Sequence, residues 1–406
     1  MAEHPVFSRA VWSPSDLLGA PAARAQVRIG GRVVERTESA LWLADHRATL
    51  EVKATLAGAL GDWLLVAGTW YDGALHDAAL IERHPPQNPE PTPEQRRLLW
   101  HGVGQHLERR AQALAVARAY FAAERFCEVD TPIRVRTPGL DVHVEALSAE
   151  GGYLITSPEF HMKRLLCAGM PRIVQLVHAS RAEEAGIFHE PEFMMLEWYR
   201  AFADSSSMLH DTEQIVSRVA CALNGGAELK LSHGTVLNVE PPYERITVRE
   251  AFARFAGVAD AVKLAEHDEA RYFELLVGAV EPALARFDRP VFLCEYPLRF
   301  ASLARAAPHD PSVAERFELY AAGVELCNGF AELTDPAEQR ARFARDLHER
   351  RASGRPLYPI DEKFLSALEA GLPPCAGNAL GFDRLLMLAC GAQRIADVQP
   401  FPAELV

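Results

Sequence analysis

Five prolines in twelve residues, HPPQNPEPTPEQ at 84–95, constrain this chain more than any other stretch. Proline fixes φ and offers no backbone N–H, so such a run cannot sit inside a helix or a sheet. It reads as a stiff linker, and 406 residues are in any case long for a single core. The expected organisation is a tail over 1–25, a small β-barrel over 26–84, the linker over 85–96 and a large domain over 97–406.

Composition narrows the class. The chain is 49% hydrophobic and 24% charged, as soluble globular proteins are. Its net charge of −13 argues against binding nucleic acid through overall basicity. No apolar run approaches the roughly 18–20 residues that span a bilayer. The first residues, MAEHPVFSRAVWSPSDLLG, are too interrupted by Ser, Arg, Asp and Pro for a signal peptide. Seven cysteines (127, 167, 221, 294, 327, 375 and 390) are scattered, without a CxxC pair or zinc spacing. Reduced thiols in a cytoplasmic protein are expected.

Before the linker, five short alternating runs predict a closed barrel of the oligonucleotide/oligosaccharide-binding kind. Residues 1–84 carry 8 Lys/Arg against 10 Asp/Glu, so the barrel lacks the positive groove that nucleic acid needs. After the linker, apolar spacing predicts one long helix over 96–125. Further helices are expected at 205–223, 247–256, 264–286, 336–352 and 361–370, with strands at 153–156, 172–178, 191–200, 291–295, 314–334 and 378–382. Strands with appended helices predict an α+β domain on a largely antiparallel sheet.

Four stretches carry chemistry. In FHEPEFMMLEWYR (188–200), a strand over 191–200 puts Phe193, Met195, Glu197 and Tyr199 on one face and Met194, Leu196, Trp198 and Arg200 on the other. The first face sets a carboxylate between aromatics, which suits a ligand's ammonium better than a core. The plain alternative is an edge strand with Glu197 in water. In ERFELYAAGVELCNGFAELTD (315–335), a hairpin tip at Ala321–Ala322 puts Glu318 directly opposite Glu325. Facing like charges destabilise a sheet, unless a divalent cation such as Mg²⁺ joins them. A solvated hairpin with unrelated glutamates is the alternative. In LVHASRAEEAGIFHEPEF (176–193), Arg181 is a candidate anion clamp. In GNALGFDRLLMLACG (377–391), Arg384 stands at a helix start, where N–H groups also favour anions.

Arg181-x-Glu183, FHEPEF, ELCNGFAEL and GNALGFDRL together resemble motifs two and three of class II aminoacyl-tRNA synthetases of the lysyl branch. RFCEVDTP resembles motif one, the dimer-interface element. TSPEFHMKRLL (156–166), YPLRFASLAR (296–305), LEWYR and Ala379 further resemble the elongation factor P lysine ligases, truncated paralogues of lysyl-tRNA synthetases. The resemblance covers about 97–406 and implies a class II synthetase-like antiparallel sheet with flanking helices. It implies ATP-dependent activation of lysine or (R)-β-lysine as an adenylate and its transfer to a lysine of elongation factor P, with Mg²⁺, in a homodimer. It assigns the α-phosphate and substrate carboxylate to Arg181, the adenine side to Glu183 and His189, and base stacking to Phe193. Mg²⁺ falls to Glu318 and Glu325, and the γ-phosphate to Arg384. The substrate's backbone amine falls to Glu159, its ε-ammonium to Glu197, Tyr199 and Glu332, and its carboxylate end to Asn328. Ala379 stands where the synthetases keep glycine, a change associated with accepting (R)-β-lysine.

Three departures from the pattern stand out. The barrel is present, His178 replaces a usual arginine, and Ser180 replaces a usual phenylalanine. The barrel is short and not basic, so tRNA is not expected as a partner. A short lysyl-tRNA synthetase is the alternative reading, and a silent, lysine-sensing paralogue is a second.

Overall fold

The computed structural model describes residues 11–20, 23–88, 90–182 and 184–406. The chain forms two compact units: Met1–Arg109 with Glu404–Val406, and Arg110–Ala403.

The first unit is a closed five-stranded barrel of β1 (Ala25–Arg36), β2 (Leu41–Ala44), β3 (Thr49–Lys53), β4 (Trp63–Tyr71) and β5 (Ala74–His84), in the order β1-β2-β3-β5-β4. Alternation drives it: Ile29, Val33, Leu43, Leu50, Val52, Val66 and Leu75 point inward and are almost completely buried. The stretch read as a tail contributes structure too. Ser13 caps a helix at Pro14–Gly19, and Leu17 from that helix enters the barrel core.

The proline-rich stretch ends sooner than expected. Thr92 and Gln95 form a capping box around a helix at Pro93–Leu99, with Pro93 in the first turn, where its missing N–H costs nothing. The single helix predicted over 96–125 is two. Gly102 takes a left-handed φ of 78°, which interrupts the helix before it resumes at Val103–Ala123. The helix expected over 264–286 is likewise broken at Asp268, whose carboxylate accepts from the N–H of Arg271 and caps the next segment.

The second unit is built on a nine-stranded sheet. Its strands are β6 (Cys127–Glu128), β7 (Arg172–Ser180), β8 (Glu192–Ala201), β9 (Glu244–Thr247), β10 (Val291–Pro297), β11 (Asp310–Ala321), β12 (Val324–Ala331) and β13 (Cys375–Gly381), with Ala306–Ala307 on the edge of β11. The order is β9-β10-β11-β12-β13-β8-β7-β6. Pairing is antiparallel except for β6 with β7 and β9 with β10. One face packs Val174, Leu196, Trp198, Phe317 and Leu380 against helices Ser205–Asn224 and Phe382–Cys390. The other face packs Ile173 and Cys375 against Phe160 and Phe364 and lines the cavity described below. No helix among the described residues is long and apolar enough to cross a membrane, and all seven cysteines are free.

The β11–β12 hairpin corrects the expected register. Its tip is Ala322–Gly323, with φ of 51° and 80°, so both central residues take the positive φ of a two-residue hairpin turn. Tyr320 pairs with Glu325, and a bulge then places Glu318 opposite Asn328. The two glutamates share a face but are not directly opposed.

Candidate active site

A cavity of about 540 Å³ lies over the centre of the sheet in the second unit. The strand period of two accounts for its floor. Phe193, Met195, Glu197 and Tyr199 of β8 line it, while Leu196 and Trp198 face the core.

One end of the cavity gathers acids. Glu197 is 1% exposed; its Oε1 accepts from the Tyr199 hydroxyl at 2.6 Å and its Oε2 from Ser157 Oγ at 2.8 Å. Burial, then the neighbouring Glu159, pushes the Glu197 carboxyl up to about 7. Glu159 begins helix Glu159–Cys167 and accepts from Lys163 Nζ at 2.5 Å, one turn along. Lys163 also contacts Glu332, which is pushed up to about 8, first by burial and further by Glu159, against the pull of Lys163. The second oxygen of Glu332, Oε1, has no hydrogen-bond partner among the described residues.

Gly377 of β13 shapes this end. A Cβ there would lie 2.3 Å from the Tyr199 ring and 2.7 Å from Glu332 Oε1, so only glycine leaves both side chains in place. Ala379, two residues on, pairs with both Glu197 and Asn328, which sets its methyl on the cavity floor between them. Asn328 Oδ1 accepts from Arg316 Nε at 3.1 Å.

The opposite end gathers cations. The Arg181 guanidinium lies over the Phe193 ring, 5.2 Å from its centroid, and has only Glu184 at 3.8 Å as an ion-pair partner among the described residues. Arg384, early in helix Phe382–Cys390, donates to the Phe188 carbonyl at 3.1 Å and the Glu325 carbonyl at 2.8 Å. It also meets His189 Nε2 at 2.7 Å. Burial and then this guanidinium lower the His189 pKa; a guanidinium can only donate, so Nε2 is the acceptor in this contact. Glu183 lies outside the described residues.

The two candidate metal ligands differ. Glu318 accepts from Arg316 at 2.6 Å, Tyr296 at 2.5 Å and Tyr320 at 2.8 Å. Arg316, two positions earlier on the same strand face, already balances its charge, so repulsion between glutamates does not by itself call for a metal. Glu325 is less well compensated. Its nearest cation is Arg384 at 3.7 Å, and burial and then Glu318 push its carboxyl up to about 7. Its side chain is 39% exposed and lines the cavity. No group of three His, Cys, Asp or Glu that could hold a metal occurs among the described residues. The pair fits Mg²⁺ in the manner of nucleotide sites, where one or two carboxylates share the ion with phosphate oxygens and water.

Two members of the acid end, Ser157 and Lys163, escape the sequence reading. Both had a local signal: the serine precedes Glu159 by two residues, and Lys163 follows it at i+4 on a helix.

A largely antiparallel sheet with an acid-lined cavity floor, flanked by one arginine just after β7 and another on the helix after β13, defines a class II synthetase catalytic domain. Residues 96–405 match the family of tRNA synthetases class II (D, K and N), and the chain belongs to that family. Within it, the chain is similar to proteins named elongation factor P–(R)-β-lysine ligase. It is 41% identical over 312 residues to that of Proteus mirabilis (strain HI4320), covering 73% of this chain and 94% of the relative. It is 41% identical over 314 residues to that of Edwardsiella ictaluri (strain 93-146), and 40% identical over 314 residues to that of Klebsiella pneumoniae (strain 342). Both matches cover 74% of this chain and 95% of the relative.

Proposed function

We propose that this protein activates (R)-β-lysine or lysine with ATP and transfers the aminoacyl group to a lysine side chain of elongation factor P. The observation that carries this reading is the polarity of one cavity. Three carboxylates, the buried Glu197 and Glu332 and the partly buried Glu159, converge at one end, and Arg181 and Arg384 flank the other. An amino acid with two ammonium groups fits the first end and a triphosphate the second. The names of the relatives and their 38–41% identity support the substrate and the acceptor.

In the first step a substrate carboxylate oxygen bonds to the α-phosphorus and the bond to pyrophosphate breaks, giving an aminoacyl-adenylate. In the second, the acceptor amine attacks the adenylate carbonyl, the C–O bond to AMP breaks and the amine gives up a proton, leaving an amide. No protein nucleophile is needed; the residues position groups and balance charge.

Arg181 holds the α-phosphate and the substrate carboxylate, and Arg384 the γ-phosphate. Phe193 stacks on adenine, with Glu183 and His189 at its edge. Glu159 takes the backbone amine; Glu197, Tyr199 and Glu332 take the distal ammonium. Asn328 lies near the carboxylate, and the Ala379 methyl favours the β-isomer. Glu325 and Glu318 would hold Mg²⁺, which when bound supplies positive charge to the leaving pyrophosphate. A homodimer in the cytoplasm completes the reading.

Intact-mass analysis of elongation factor P incubated with this protein, ATP and each lysine isomer tests it. The expected result is a single lysyl adduct that forms only with ATP. An unchanged mass with both isomers refutes it. The presence of a barrel, although not a basic one, keeps a short lysyl-tRNA synthetase as the second reading, and robust charging of total tRNA with labelled lysine would establish that instead.

A further inference from the structure

Lys163 does not line the cavity, yet it holds two residues that do. Its side chain is 1% exposed. Its Nζ lies 2.5 Å from Glu159 Oε1, in ion-pair contact with Glu332 Oε2, and 5.3 Å from the centroid of the Phe330 ring. The two carboxylates reach it from distant parts of the chain, Glu159 from its own helix and Glu332 from the end of the β12 hairpin arm. Glu197, by contrast, is held by the neutral hydroxyls of Tyr199 and Ser157.

The charge count of this end follows directly. With all three carboxylates ionised, the one resident ammonium leaves two negative charges for a ligand to balance. An unbalanced buried charge is expensive, and one oxygen of Glu332 is buried without a partner among the described residues. A ligand with two ammonium groups balances this end. A ligand with one, of the same length and shape, leaves a carboxylate buried and unpaired.

We propose that Lys163 is a positioning residue that fixes Glu159 and Glu332 from behind the cavity wall and sets the number of ligand ammonium groups at two. Without its charge, Glu159 and Glu332 repel each other, lose their common anchor and no longer present fixed oxygens. The amino acid then binds weakly, while the nucleotide end, built from other elements, is unaffected. The proposal rests on the aminoacyl-activation reading above.

The test is ATP–pyrophosphate exchange with lysine, (R)-β-lysine and the monoammonium analogue norleucine, using wild type, K163M, K163R and K163A. Wild-type exchange checks the activation reading itself, and a wild type silent with both diamines refutes that reading independently of Lys163. K163M keeps the volume and drops the charge. It is expected to raise the KM for the preferred diamine at least about tenfold, with kcat and the KM for ATP changed less than about threefold. K163A is expected to regain affinity with added n-propylammonium but not with 1-propanol. A lysine that only fills space predicts an unchanged KM in K163M and equal rescue by the alcohol, and either result overturns the proposal. If K163A does not fold, judged by circular dichroism, K163M and K163R decide: K163R keeps the charge and should hold a KM nearer to wild type than K163M does. Equal KM values in those two variants overturn the proposal as well.

Discussion

Replacing Glu197 with glutamine separates the charge of the pocket from its shape. The amide is nearly isosteric, and both neighbouring hydroxyls can adapt. Tyr199 at 2.6 Å and Ser157 at 2.8 Å now donate to the carboxylate, and either can turn to accept from the new NH₂. The fold should therefore survive. Binding should not, because an incoming ammonium loses a buried counter-charge, a loss of about 3–5 kcal/mol. At about 1.4 kcal/mol per decade this is roughly two to three and a half decades in kcat/KM for the amino acid. Wild type should also show a pH signature. With the Glu197 carboxyl at about 7, the ammonium must displace a proton at lower pH. Affinity is full above that value and falls about tenfold per unit below it, a penalty of about 1.4 kcal/mol at pH 6. Glu332, at about 8, adds to the slope in the same direction. Pyrophosphate exchange at saturating ATP across pH 6–9 measures both effects. An E197Q enzyme within fivefold of wild type, or a wild-type KM for lysine flat from pH 6 to 8, would refute the assignment of this carboxylate to the substrate ammonium.

Other perturbations read out separate parts of the site. Phe193→Ala removes the ring under Arg181; base stacking is worth about 1–3 kcal/mol, so the KM for ATP should rise while the KM for the amino acid holds. Gly377→Ala drives a methyl into Tyr199 and Glu332, an overpacking of about 1–3 kcal/mol, and should raise the amino-acid KM with ATP binding intact. Asp383 is buried and accepts from Arg110, the Met194 N–H and Gln399. Asp383→Ala leaves Arg110 uncompensated at a cost of about 3–5 kcal/mol, lowering Tm by roughly 6–20 °C in a melt. The buried Glu332 holds its proton more tightly folded than unfolded, so the folded state binds more protons between pH 4.5 and about 8. Stability of the free protein should therefore fall as pH rises through that window, and melts of Glu332→Gln should show a shallower decline.

How much of this site was legible in the sequence depended on how far apart in the chain the interacting residues lie. The split faces of β8 could be read because a period of two is a local property. The same alternation exposed the barrel strands around Ile29 and Val33. The β11–β12 register slipped because an alanine occupies a positive-φ position: Ala322 at 51° is a conformation its residue type does not announce. With the tip moved by one residue, Glu318 faces Asn328 rather than Glu325. The salt partner of Glu318 is within reach of the sequence, since Arg316 shares its face two positions earlier, whereas the pattern of acids alone leaves a bridging cation and a solvated hairpin both open. The break at Gly102 was likewise hidden by an apolar stripe that continues across it.

Lys163 shows where such reading stops. Its i,i+4 partner Glu159 is visible in TSPEFHMKRLL, and by itself that pair describes an ordinary solvated helix face. What makes it a buried charge is Glu332, which only the folded sheet brings to it. Sequence pattern therefore gives the candidate ligands of this pocket one strand at a time, whereas the balance among their charges belongs to the tertiary structure. That balance carries the functional distinction. Glu318 has its cation within the protein and Glu197 does not. Of two carboxylates on one sheet, the first has a resident guanidinium beside it, and on the proposed reading the second meets the ammonium of the substrate.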